Sequence, residues 1–374
     1  PPRPPPPPPP PPDFFFKAKD GNRDAQESRG LGDVYKRQIK GVRVMARVMV
    51  AMSGGVDSSV AAALACESNN EVVGVTLRLW GGESDSGCCS VSDVDDARRA
   101  ANALGIEHHV FNLGDDFEKH VVSPYVEAHS AGLTPNPCIE CNRHIKFDRL
   151  LNRAKSLGFD KIVTGHHARV VKRKDGTSRI ARAKDEAKDQ SYVLYMLHQD
   201  QISSLHLPIG DMTKDQVREK ANSLGLRVAT KPDSQDVCFI TREKGRADFL
   251  GKRIPLTPGR VIDENGVEVG QVEAIELVTV GQRRGMLLAG GKEPRYATNV
   301  NIETATVTVG TPDQLLVKKT EFRDPIWSEK KIKGEFLVQT SAHGKPKQAS
   351  VEDGLLRWEE PHQRMSLIHI SEQK

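Results

Sequence analysis

The sequence lacks several features that would define its class. No apolar run approaches the roughly 18 residues of a membrane-spanning helix, so the sequence predicts no transmembrane segment. Six cysteines in 374 residues are too few for a secreted scaffold that depends on disulfides. We find no clean signal peptide. We therefore expect a cytoplasmic protein whose cysteines are metal ligands, catalytic groups or buried core residues.

Excess charge of either sign is also scarce. The chain has 54 Lys and Arg against 50 Asp and Glu, a net charge of +4, which excludes a histone-like polycation. A nucleic-acid partner would therefore need a local basic surface. With 37% apolar and 28% charged residues, the composition is that of a globular protein, and the length suggests two to three domains.

The two ends of the chain differ in residue composition from the rest. Eleven of the 23 prolines lie in residues 1–12, a tract that cannot enter a core. Residues 27–38 and 365–372 resemble translated sequencing adapters. We therefore expect residues 1–42 and 364–374 not to be native; the alternative for the first segment is a disordered arm or a transit segment. The last domain would then lack a final β segment and expose an unpaired strand edge.

The part between these ends shows two different patterns of predicted secondary structure. Four predicted strands alternate with helices, at residues 43–52, 71–80, 108–113 and 161–164. This alternation predicts an α/β fold with a parallel, doubly wound sheet over residues 43–251. From residue 252, short β-rich runs are separated by Pro, Gly, Asn and Asp. They predict a small β-rich central domain over residues 252–288 and a C-terminal β-barrel, expected to be truncated, over residues 289–363.

The first predicted strand ends in the sequence S-G-G-V-D-S-S at residues 53–59. Gly54 and Gly55 permit close backbone approach, and the N-terminus of the following helix would face an anion. Ser58 and Ser59 add hydroxyl donors, and Asp57 would either orient the loop or hold Mg²⁺. The absence of a Walker lysine excludes a kinase or GTPase loop. An ordinary Ser-capped turn is the alternative, but the strand–loop–helix context favours a pyrophosphate site that resembles the PP-loop of ATP pyrophosphatases.

Cys138 and Cys141 form a C-x-x-C pair behind two prolines. Zinc, thiol redox and iron–sulfur sites all use this spacing, so it leaves the chemistry open. Cys141 lies at the start of a predicted helix, where the helix dipole lowers a thiol pKa. Cys238 stands alone, and by itself would be read as a buried core thiol. The remaining cysteines are read as a core residue, Cys66, and as two loop thiols, Cys88 and Cys89.

Six segments occur in the order that is typical of one protein family. They are residues 51–59 (AMSGGVDSS), 134–147 (TPNPCIECNRHIKF), 164–169 (TGHHAR), 188–194 (KDQSYVL), 231–240 (KPDSQDVCFI) and 281–285 (GQRRG). Through these segments the chain resembles the tRNA-specific 2-thiouridylases of the MnmA type over residues 43–363. His167 departs from the pattern, because the family usually carries Tyr there.

The resemblance implies a PP-loop, HUP-like enzyme that acts as a tRNA-uridine 2-sulfurtransferase. It would use ATP and Mg²⁺ to adenylate the 2-oxygen of the wobble uridine in the anticodon stem-loop, and a donor protein carrying a persulfide would supply the sulfur. The resemblance implies that ATP binds at Ala51, Met52, Ser53, Gly54, Gly55, Val56, Asp57, Ser58, Leu77 and Gly165. It places tRNA contacts at Asn136, Pro137, Cys138, His166, Lys188, Asp189 and Gln190.

The resemblance also implies catalytic residues. Cys238 matches the cysteine that carries the persulfide, Cys141 matches its catalytic partner, and Asp57 completes the catalytic set. Position 138 is Cys where some family members carry Asp, so Cys138, Cys141 and Cys238 could hold an iron–sulfur cluster. The rival is a cluster-free route through a persulfide and a disulfide, and the sequence leaves both open.

Two other functions compete with this hypothesis. One is a different PP-loop ligase, which would not need Cys141 or Cys238. The other is a non-catalytic tRNA-binding or iron–sulfur protein. A row of cations on one predicted helix would face either solvent or tRNA phosphates: Arg143, Lys146, Arg149, Arg153 and Lys155.

Overall fold

The computed structural model describes residues 46–79, 90–233, 237–240, 245–288, 293–322, 325–327, 333–341, 344–363 and 371–373. Cys88 and Cys89 lie outside these ranges. So do the segments expected not to be native, apart from residues 371–373. Among the helices within these ranges, none is long and apolar enough to cross a membrane.

A five-stranded parallel sheet forms the first part of the fold. Its strands are β1 (Arg47–Ala51), β2 (Glu71–Arg78), β3 (Glu107–Asn112), β4 (Lys161–Thr164) and β7 (Leu205–His206). They lie in the order β3-β2-β1-β4-β7, and every neighbouring pair is parallel. The chain therefore winds outwards in both directions from β1, which confirms the predicted doubly wound α/β fold. The order reverses between β1 and β4, the point at which open α/β sheets bind their ligands.

Helices cover both faces of this sheet. They are α1 (Val56–Glu67), α2 (Val91–Ala103), α3 (Gly114–Phe117), α4 (Ser123–Ser130), α5 (Pro137–Glu140), α6 (Leu151–Ser156), α7 (Gln199–Ser203), α8 (Lys214–Ser223) and α9 (Gly245–Gly251). Two π-helical segments, Glu118–Val122 and Cys141–Leu150, join α3 to α4 and α5 to α6. Short 3₁₀ turns occur at Glu186–Lys188, Ser191–Val193, Arg227–Thr230, Ile275–Leu277 and Pro312–Leu315.

The two faces of β1 supply two apolar clusters, because successive strand side chains point to opposite faces. Val48 and Val50 pack with α1, α2 and α8 in a cluster that we call the α1-side cluster. Met49 and Ala51 point the other way, into a cluster that contains Leu77 and Phe117 and that we call the cysteine-side cluster. Eight of the twelve residues of α1 are buried, six of them alanines or valines small enough for the helix to lie close against the sheet.

A β-hairpin that the sequence analysis did not predict follows β4. Its strands, β5 (Ala168–Lys172) and β6 (Ser178–Arg182), form a separate two-stranded sheet. The turn between them has Gly176 at a positive φ of 86°. Asp175 closes the turn by accepting hydrogen bonds from the amide and the hydroxyl of Thr177 at 2.9 and 2.7 Å.

Two further sheets complete the fold. The second contains β8 (Gly259–Ile262), β9 (Glu268–Val272), β10 (Leu287–Leu288), β11 (Tyr296–Asn301) and β12 (Thr306–Gly310). The third contains β13 (Leu316–Glu321), β14 (Gly334–Gln339), β15 (Lys347–Glu352), β16 (Leu355–Gln363) and β17 (Ser371–Gln373).

The second sheet runs past the boundary predicted at residue 288. It does so because β12 pairs with β8 in parallel and β11 pairs with β12, which keeps residues up to Gly310 in one sheet. In the third sheet β17 pairs with Leu337–Gln339 of β14. The strand edge that was expected to be unpaired therefore has a partner strand.

Gly54 offers a test of how closely the loop after β1 approaches α2. Its φ is 71°, and a Cβ there would overlap the carbonyl oxygen of Asp93. Gly105 has nearly the same φ of 68° with nothing within 4 Å of an added Cβ. We expect Gly105→Ala to lower the free energy of unfolding by about 1 kcal/mol, the cost of a left-handed Ala. For Gly54→Ala we expect a loss of about 3 kcal/mol or more, because the overlap adds to that cost.

Denaturant unfolding of the two variants at neutral pH measures the difference. Equal losses would show that backbone conformation alone, and not the contact with α2, sets the need for glycine at position 54.

Candidate functional site

The loop between β1 and α1 is held at its start by hydrogen bonds to Met52. The Met52 amide donates to the Val75 carbonyl, and the Thr76 hydroxyl donates to the Met52 carbonyl, both at 2.8 Å. Inside the loop, the Ser58 hydroxyl accepts from the Ser53 amide at 3.1 Å. These bonds give the loop a defined shape before any ligand arrives.

The hydroxyls of Ser58 and Ser59 were expected to donate to a bound anion, but in the structure they donate to the protein backbone. Ser58 and Ser59 both donate to the carbonyl of Gly55, at 3.1 and 2.9 Å. Their protons therefore hold the loop together in this structure and do not point to a ligand.

The backbone at the start of α1 supplies the anion-binding groups. Gly55 is the N-cap residue, and it offers no side chain to cap the first N–H groups of the helix. Those groups and the positive end of the helix dipole are suited to phosphate oxygens. A twelve-residue helix with an uncapped start is thus a fitting cradle for a pyrophosphate group.

The other residues predicted to bind ATP lie beside this loop. Gly165 follows β4, and a Cβ there would be 2.5 Å from the amide nitrogen of Ser58, so the two backbones can approach this closely only with glycine. Leu77 is buried, and with Ala51 it belongs to the cysteine-side cluster. The structure brings Ala51, Leu77 and Gly165 together with the loop at the carboxyl edge of the sheet.

Lys214 joins the loop to the segment that leads to Cys238. Its Nζ lies 2.7 and 2.8 Å from the carboxylate oxygens of Asp57 and 2.8 Å from Oδ1 of Asp233. Asp233 also pairs with Lys188 at 2.9 Å and with Arg218 at 2.9 Å. We call these five residues the Lys214 network. Because Asp57 is engaged in it, the geometry supports a role in orienting the loop.

The network keeps both of its carboxylates ionised. Burial by itself would raise the pKa of Asp57, but hydrogen bonds from His167 and Lys214 outweigh burial and hold the pKa below its usual value. Burial also opposes ionisation of Asp233, yet Lys214 and Lys188 lower its pKa to about 2. Each carboxylate is therefore charged at neutral pH and contributes to stability through its cations.

His167 links the loop to the segment after β6. Its Nε2 lies 3.2 Å from Oδ1 of Asp57. Its backbone amide donates to Oε1 of Gln190 at 2.9 Å, and the Gln190 amide donates to the His167 carbonyl at 2.7 Å. Gln190, which the resemblance assigned to tRNA, thus holds His167 against the nucleotide loop.

Two other residues predicted to contact tRNA are buried. His166 is 8% exposed and bonds through Nδ1 to the Thr164 hydroxyl at 2.8 Å, and burial lowers its pKa well below the usual value. Asp189 is 4% exposed and accepts from the Ala183 amide at 2.8 Å and the Ser191 hydroxyl at 2.7 Å. In this arrangement both side chains organise the protein interior, and their contact with tRNA stays a prediction.

The two cysteines predicted to carry the chemistry pack in one apolar cluster. Cys141 is buried at the start of a π-helical segment, a feature often found at functional sites. Cys238 is half-buried and packs against the same cysteine-side cluster. Its neighbour Phe239 anchors this segment, since its ring lies 5.6 Å from that of Phe117 and 5.4 Å from that of Tyr125. Both cysteines therefore share a cluster with Ala51 and Leu77, two of the residues predicted to bind ATP.

Cys138, the third residue predicted to bind an iron–sulfur cluster, is more exposed than the other two cysteines. Cys138 is exposed, and its amide donates to the Asn136 side chain at 3.1 Å, while Pro137 beside it is buried. Across the described ranges, no three Cys, His, Asp or Glu side chains lie close enough together to hold a metal ion. A cluster held by Cys138, Cys141 and Cys238 stays a prediction.

Sequence reasoning missed the lysines that fix the site. Lys231 donates to the Gly54 carbonyl at 3.0 Å and to Asp93 and Asp96 at 2.7 Å each, so it pins the nucleotide loop to α2. Lys231 and Asp233 stand in the segment KPDSQDVCFI, which was a detectable signal. No signal in the sequence marked Lys214, since nothing near it in the chain distinguishes it from other helix lysines.

Four of the five cations on the helix after Cys141 have the following contacts within the protein, Lys146 being the fifth cation. Arg143 pairs with Glu140 at 3.3 Å, Arg149 with Asp116 at 3.0 Å, Lys155 with Asp200 at 3.7 Å, and Arg153 lies 4.1 Å from the centre of the Phe111 ring. Their arrangement favours the solvated-face reading over the tRNA-facing one.

Comparisons with known proteins agree with this architecture. A family model described as "tRNA methyl transferase HUP domain" matches residues 46–242, and one described as "tRNA methyl transferase PRC-barrel domain" matches residues 247–311. The second match includes the whole second sheet. The α/β domain followed by β-rich domains is thus confirmed.

Curated relatives match most of the chain. A tRNA-specific 2-thiouridylase MnmA of Chloroflexus aurantiacus is 44% identical over 336 residues, which cover 86% of this chain and 93% of the relative. A protein of the same name from Rhodococcus erythropolis is 46% identical over 323 residues, 82% of this chain and 86% of the relative. Among solved structures, the U34-tRNA thiolase NcsA from Methanococcus maripaludis is 16% identical with a TM-score of 0.36, covering 57% of this chain and 69% of that chain. A likeness as distant as this last one says nothing about function.

Removing the shared cation tests the Lys214 network. We expect Lys214→Met to lower the free energy of unfolding by about 2–4 kcal/mol at pH 7, because two partly buried carboxylates lose a cation. Lys220→Met is the matched control on the same helix, since Lys220 forms an exposed ion pair with Glu67 at 2.6 Å. Such surface pairs contribute about 0–1 kcal/mol.

Acid should remove the difference in unfolding free energy between Lys214→Met and the wild type. The pKa values of Asp57 and Asp233 are lowered in the folded protein, so their contribution is present above about pH 4, the unfolded value, and is lost as the pH falls. Denaturant unfolding as a function of pH measures it. A gap between Lys214→Met and wild type that stays constant down to pH 2 would show that lost packing, and not charge, causes the effect.

Proposed function

The chain belongs to the family of tRNA-specific 2-thiouridylases, and we propose that it replaces the 2-oxygen of the wobble uridine of tRNA with sulfur in a reaction driven by ATP. One observation carries the proposal. Cys141 and Cys238, far apart in sequence, belong to the same apolar cluster as Ala51 and Leu77 beside the nucleotide loop. A site that activates a base and then sulfurates it needs these groups in the same part of the molecule, and their shared cluster supports this.

The activation step uses the loop after β1. A uracil oxygen is a poor leaving group, and adenylation makes it a good one. The 2-oxygen attacks the α-phosphorus of ATP, the bond from that phosphorus to the bridging oxygen breaks, and pyrophosphate leaves. The uncapped start of α1 would hold the charge of the departing pyrophosphate. Mg²⁺ would enter with the nucleotide, since the Asp57 carboxylate is already engaged by Lys214.

The sulfur step uses the two cysteines. The terminal sulfur of a Cys238 persulfide attacks C2 of the activated uridine, and AMP leaves with the former 2-oxygen. The Cys141 thiolate then attacks Sγ of Cys238, the bond to the transferred sulfur breaks, and 2-thiouridine is released. An external thiol reduces the resulting disulfide, and a donor protein carrying a persulfide reloads Cys238. Cys141 is buried, so its thiolate would attack where little water competes.

We route no step through an iron–sulfur cluster, because the transfer of a persulfide sulfur needs only Cys238 and Cys141. The contact residues Asn136 and Pro137 remain candidates for the target base, and Lys188, partly exposed in the Lys214 network, is a candidate for a tRNA phosphate.

Replacing either cysteine should block sulfur transfer and leave adenylation intact. Cys238→Ser and Cys141→Ser each abolish 2-thiouridine formation, measured by mass spectrometry of tRNA after incubation with ATP, Mg²⁺ and a sulfur source. Both variants retain tRNA-dependent exchange of pyrophosphate into ATP, since the loop that adenylates is untouched. Cys66→Ser, half-buried on α1, is the control and keeps both activities.

Thiolation that survives in both cysteine variants would favour another PP-loop ligase. A wild-type protein that binds tRNA but shows neither exchange nor thiolation would favour a non-catalytic binding protein.

Iron content tests the choice of route. We expect the chain purified without oxygen to contain no stoichiometric iron or acid-labile sulfide and no visible absorption of a cluster, and still to thiolate tRNA. Chelator-treated protein serves as the control and should be equally active. Stoichiometric iron whose removal abolishes thiolation would overturn the persulfide route.

A further inference from the structure

The segment GQRRG at residues 281–285 has no task in the proposed chemistry. It lies between the 3₁₀ turn Ile275–Leu277 and β10, and we call it the arginine turn. Arg283 and Arg284 are both exposed. Within the described part of the chain, neither guanidinium forms an ion pair or a hydrogen bond. Two adjacent guanidinium groups are therefore available to an anion from outside the protein.

The sequence around the arginine turn contains no acidic residue that would offset these two charges. No Asp or Glu occurs between Glu276 and Glu293, and residues 131–137, which the turn contacts, carry no charge. Glu276 is 5% exposed, and its Oε2 accepts from the Thr257 amide at 3.0 Å. Its charge is therefore turned towards the protein interior, and the exposed side of the turn is positive.

Hydrogen bonds hold the arginine turn in one conformation. The Gln282 amide donates to the Thr279 carbonyl at 2.9 Å. The Gln282 side chain accepts from the Thr279 amide at 3.0 Å and donates to the Arg284 carbonyl at 2.7 Å. The Gly281 amide and the Gln282 carbonyl pair with Ala297 of β11 at 2.7 and 2.9 Å. Because the turn is already ordered, it loses little conformational freedom when it binds a ligand.

The arginine turn is bonded to the loop that leads to the C-x-x-C pair. The hydroxyls of Thr279 and Thr134 lie 2.9 Å apart. Thr134 stands two positions before Asn136, the N-cap residue of α5, whose side chain accepts from the Cys138 amide at 3.1 Å. The chain then passes through α5 to Cys141. The turn therefore meets the loop that carries the candidate contacts to the target base.

Other contacts keep the second sheet against this loop. The buried His129 ring at the end of α4 bonds through Nδ1 to the Glu276 carbonyl at 3.0 Å. A Cβ on Gly132 would lie 2.8 Å from the side chain of Ile302, which follows β11. Since these contacts lie on both sides of the arginine turn in the sequence, the fold itself sets the position of the turn beside the loop.

These bonds also limit how far the arginines lie from the target base. Five positions separate Thr279 from Arg284, which even a fully extended chain spans in about 18 Å. The hydrogen bonds of the turn shorten that distance. Every nucleotide of a strand carries a phosphate, so a tRNA with its wobble base at Asn136 brings several phosphates within reach of the turn.

We propose that Arg283 and Arg284 form a docking surface for the tRNA phosphates next to the wobble uridine. This inference rests on the proposed function, which brings that uridine to the loop between Thr134 and Cys138. Guanidinium groups match pairs of phosphate oxygens, and such contacts fix the register of a nucleic acid without reading its sequence. The arginines therefore contribute affinity and orientation and do not select among tRNAs.

The test is the double variant Arg283→Gln/Arg284→Gln of the full chain. We expect its Kd for an unmodified tRNA transcript with uridine at the wobble position to rise roughly tenfold at 0.1 M salt. The slope of log affinity against log salt flattens by about 1 for each arginine that contacts a phosphate. The kcat for thiolation at saturating tRNA stays at the wild-type value, because saturation compensates for the lost affinity. Arg283→Lys/Arg284→Lys keeps the wild-type salt slope, since it keeps both charges.

Arg98→Gln/Arg227→Gln is the matched control. It removes the same charge from two exposed side chains on the other face of the sheet. Arg98 lies on α2 and Arg227 follows α8, and both helices pack in the α1-side cluster. By contrast, α4, which leads to Thr134, contributes Tyr125 to the cysteine-side cluster. The control should keep the wild-type salt slope and a Kd within about twofold of wild type, as is ordinary for an unrelated surface charge.

Three results would overturn the inference while leaving the proposed function intact. The first is equal tRNA affinity and salt slope in the turn variant and the control variant, with thiolation present in both. The second is weaker binding with an unchanged salt slope, which would show that the arginines do not contact phosphates. The third is unchanged tRNA affinity with slower turnover only when a persulfide-carrying protein replaces inorganic sulfide, which would assign the turn to the sulfur donor. Absence of thiolation in the wild type would instead contradict the proposed function.

Discussion

The positive charge of Lys214 is the constraint on which the rest of the site depends. It lies between Asp57 of the nucleotide loop and Asp233 of the segment that leads to Cys238. Two carboxylates this close to one another and partly removed from water would repel and be protonated without a cation. Sharing one ammonium group fixes both at once, so the position of the loop and the position of the cysteine segment are set by the same interaction.

The site combines two environments that β1 keeps apart. On the α1 side, the Lys214 network and the start of α1 form a polar surface suited to phosphate. On the other side, Cys141 and Cys238 lie in an apolar cluster. Phosphate release needs fixed charges and dipoles, whereas a sulfur anion attacks best where water is excluded. Because successive side chains of a strand point to opposite faces, a single edge of the sheet can provide both the polar surface and the apolar cluster.

The local motifs were readable because they depend on neighbouring residues. The glycines at 54 and 55, the helix that follows them and the order of strands and helices follow from short-range rules, and the structure has them where the pattern predicts. The hairpin β5–β6 was missed, because its strands are short and rich in charge, and its apolar contacts are made with residues distant in the chain. The boundary at 288 was misplaced for a related reason, since the pairing of β12 with β8 is parallel and joins residues more than 40 positions apart.

The sequence by itself determined the fold class, the anion-binding loop and, through resemblance, the family and its two cysteines, because each of these is carried by residues close together in the chain. Only the tertiary structure decided that the Ser58 hydroxyl holds the loop, that His166 and Asp189 are buried, and that Lys214 is the cation shared by Asp57 and Asp233. Lys214 stands 157 residues after Asp57, and a pairing at that distance is set by how the helices pack on the sheet, which no local pattern encodes.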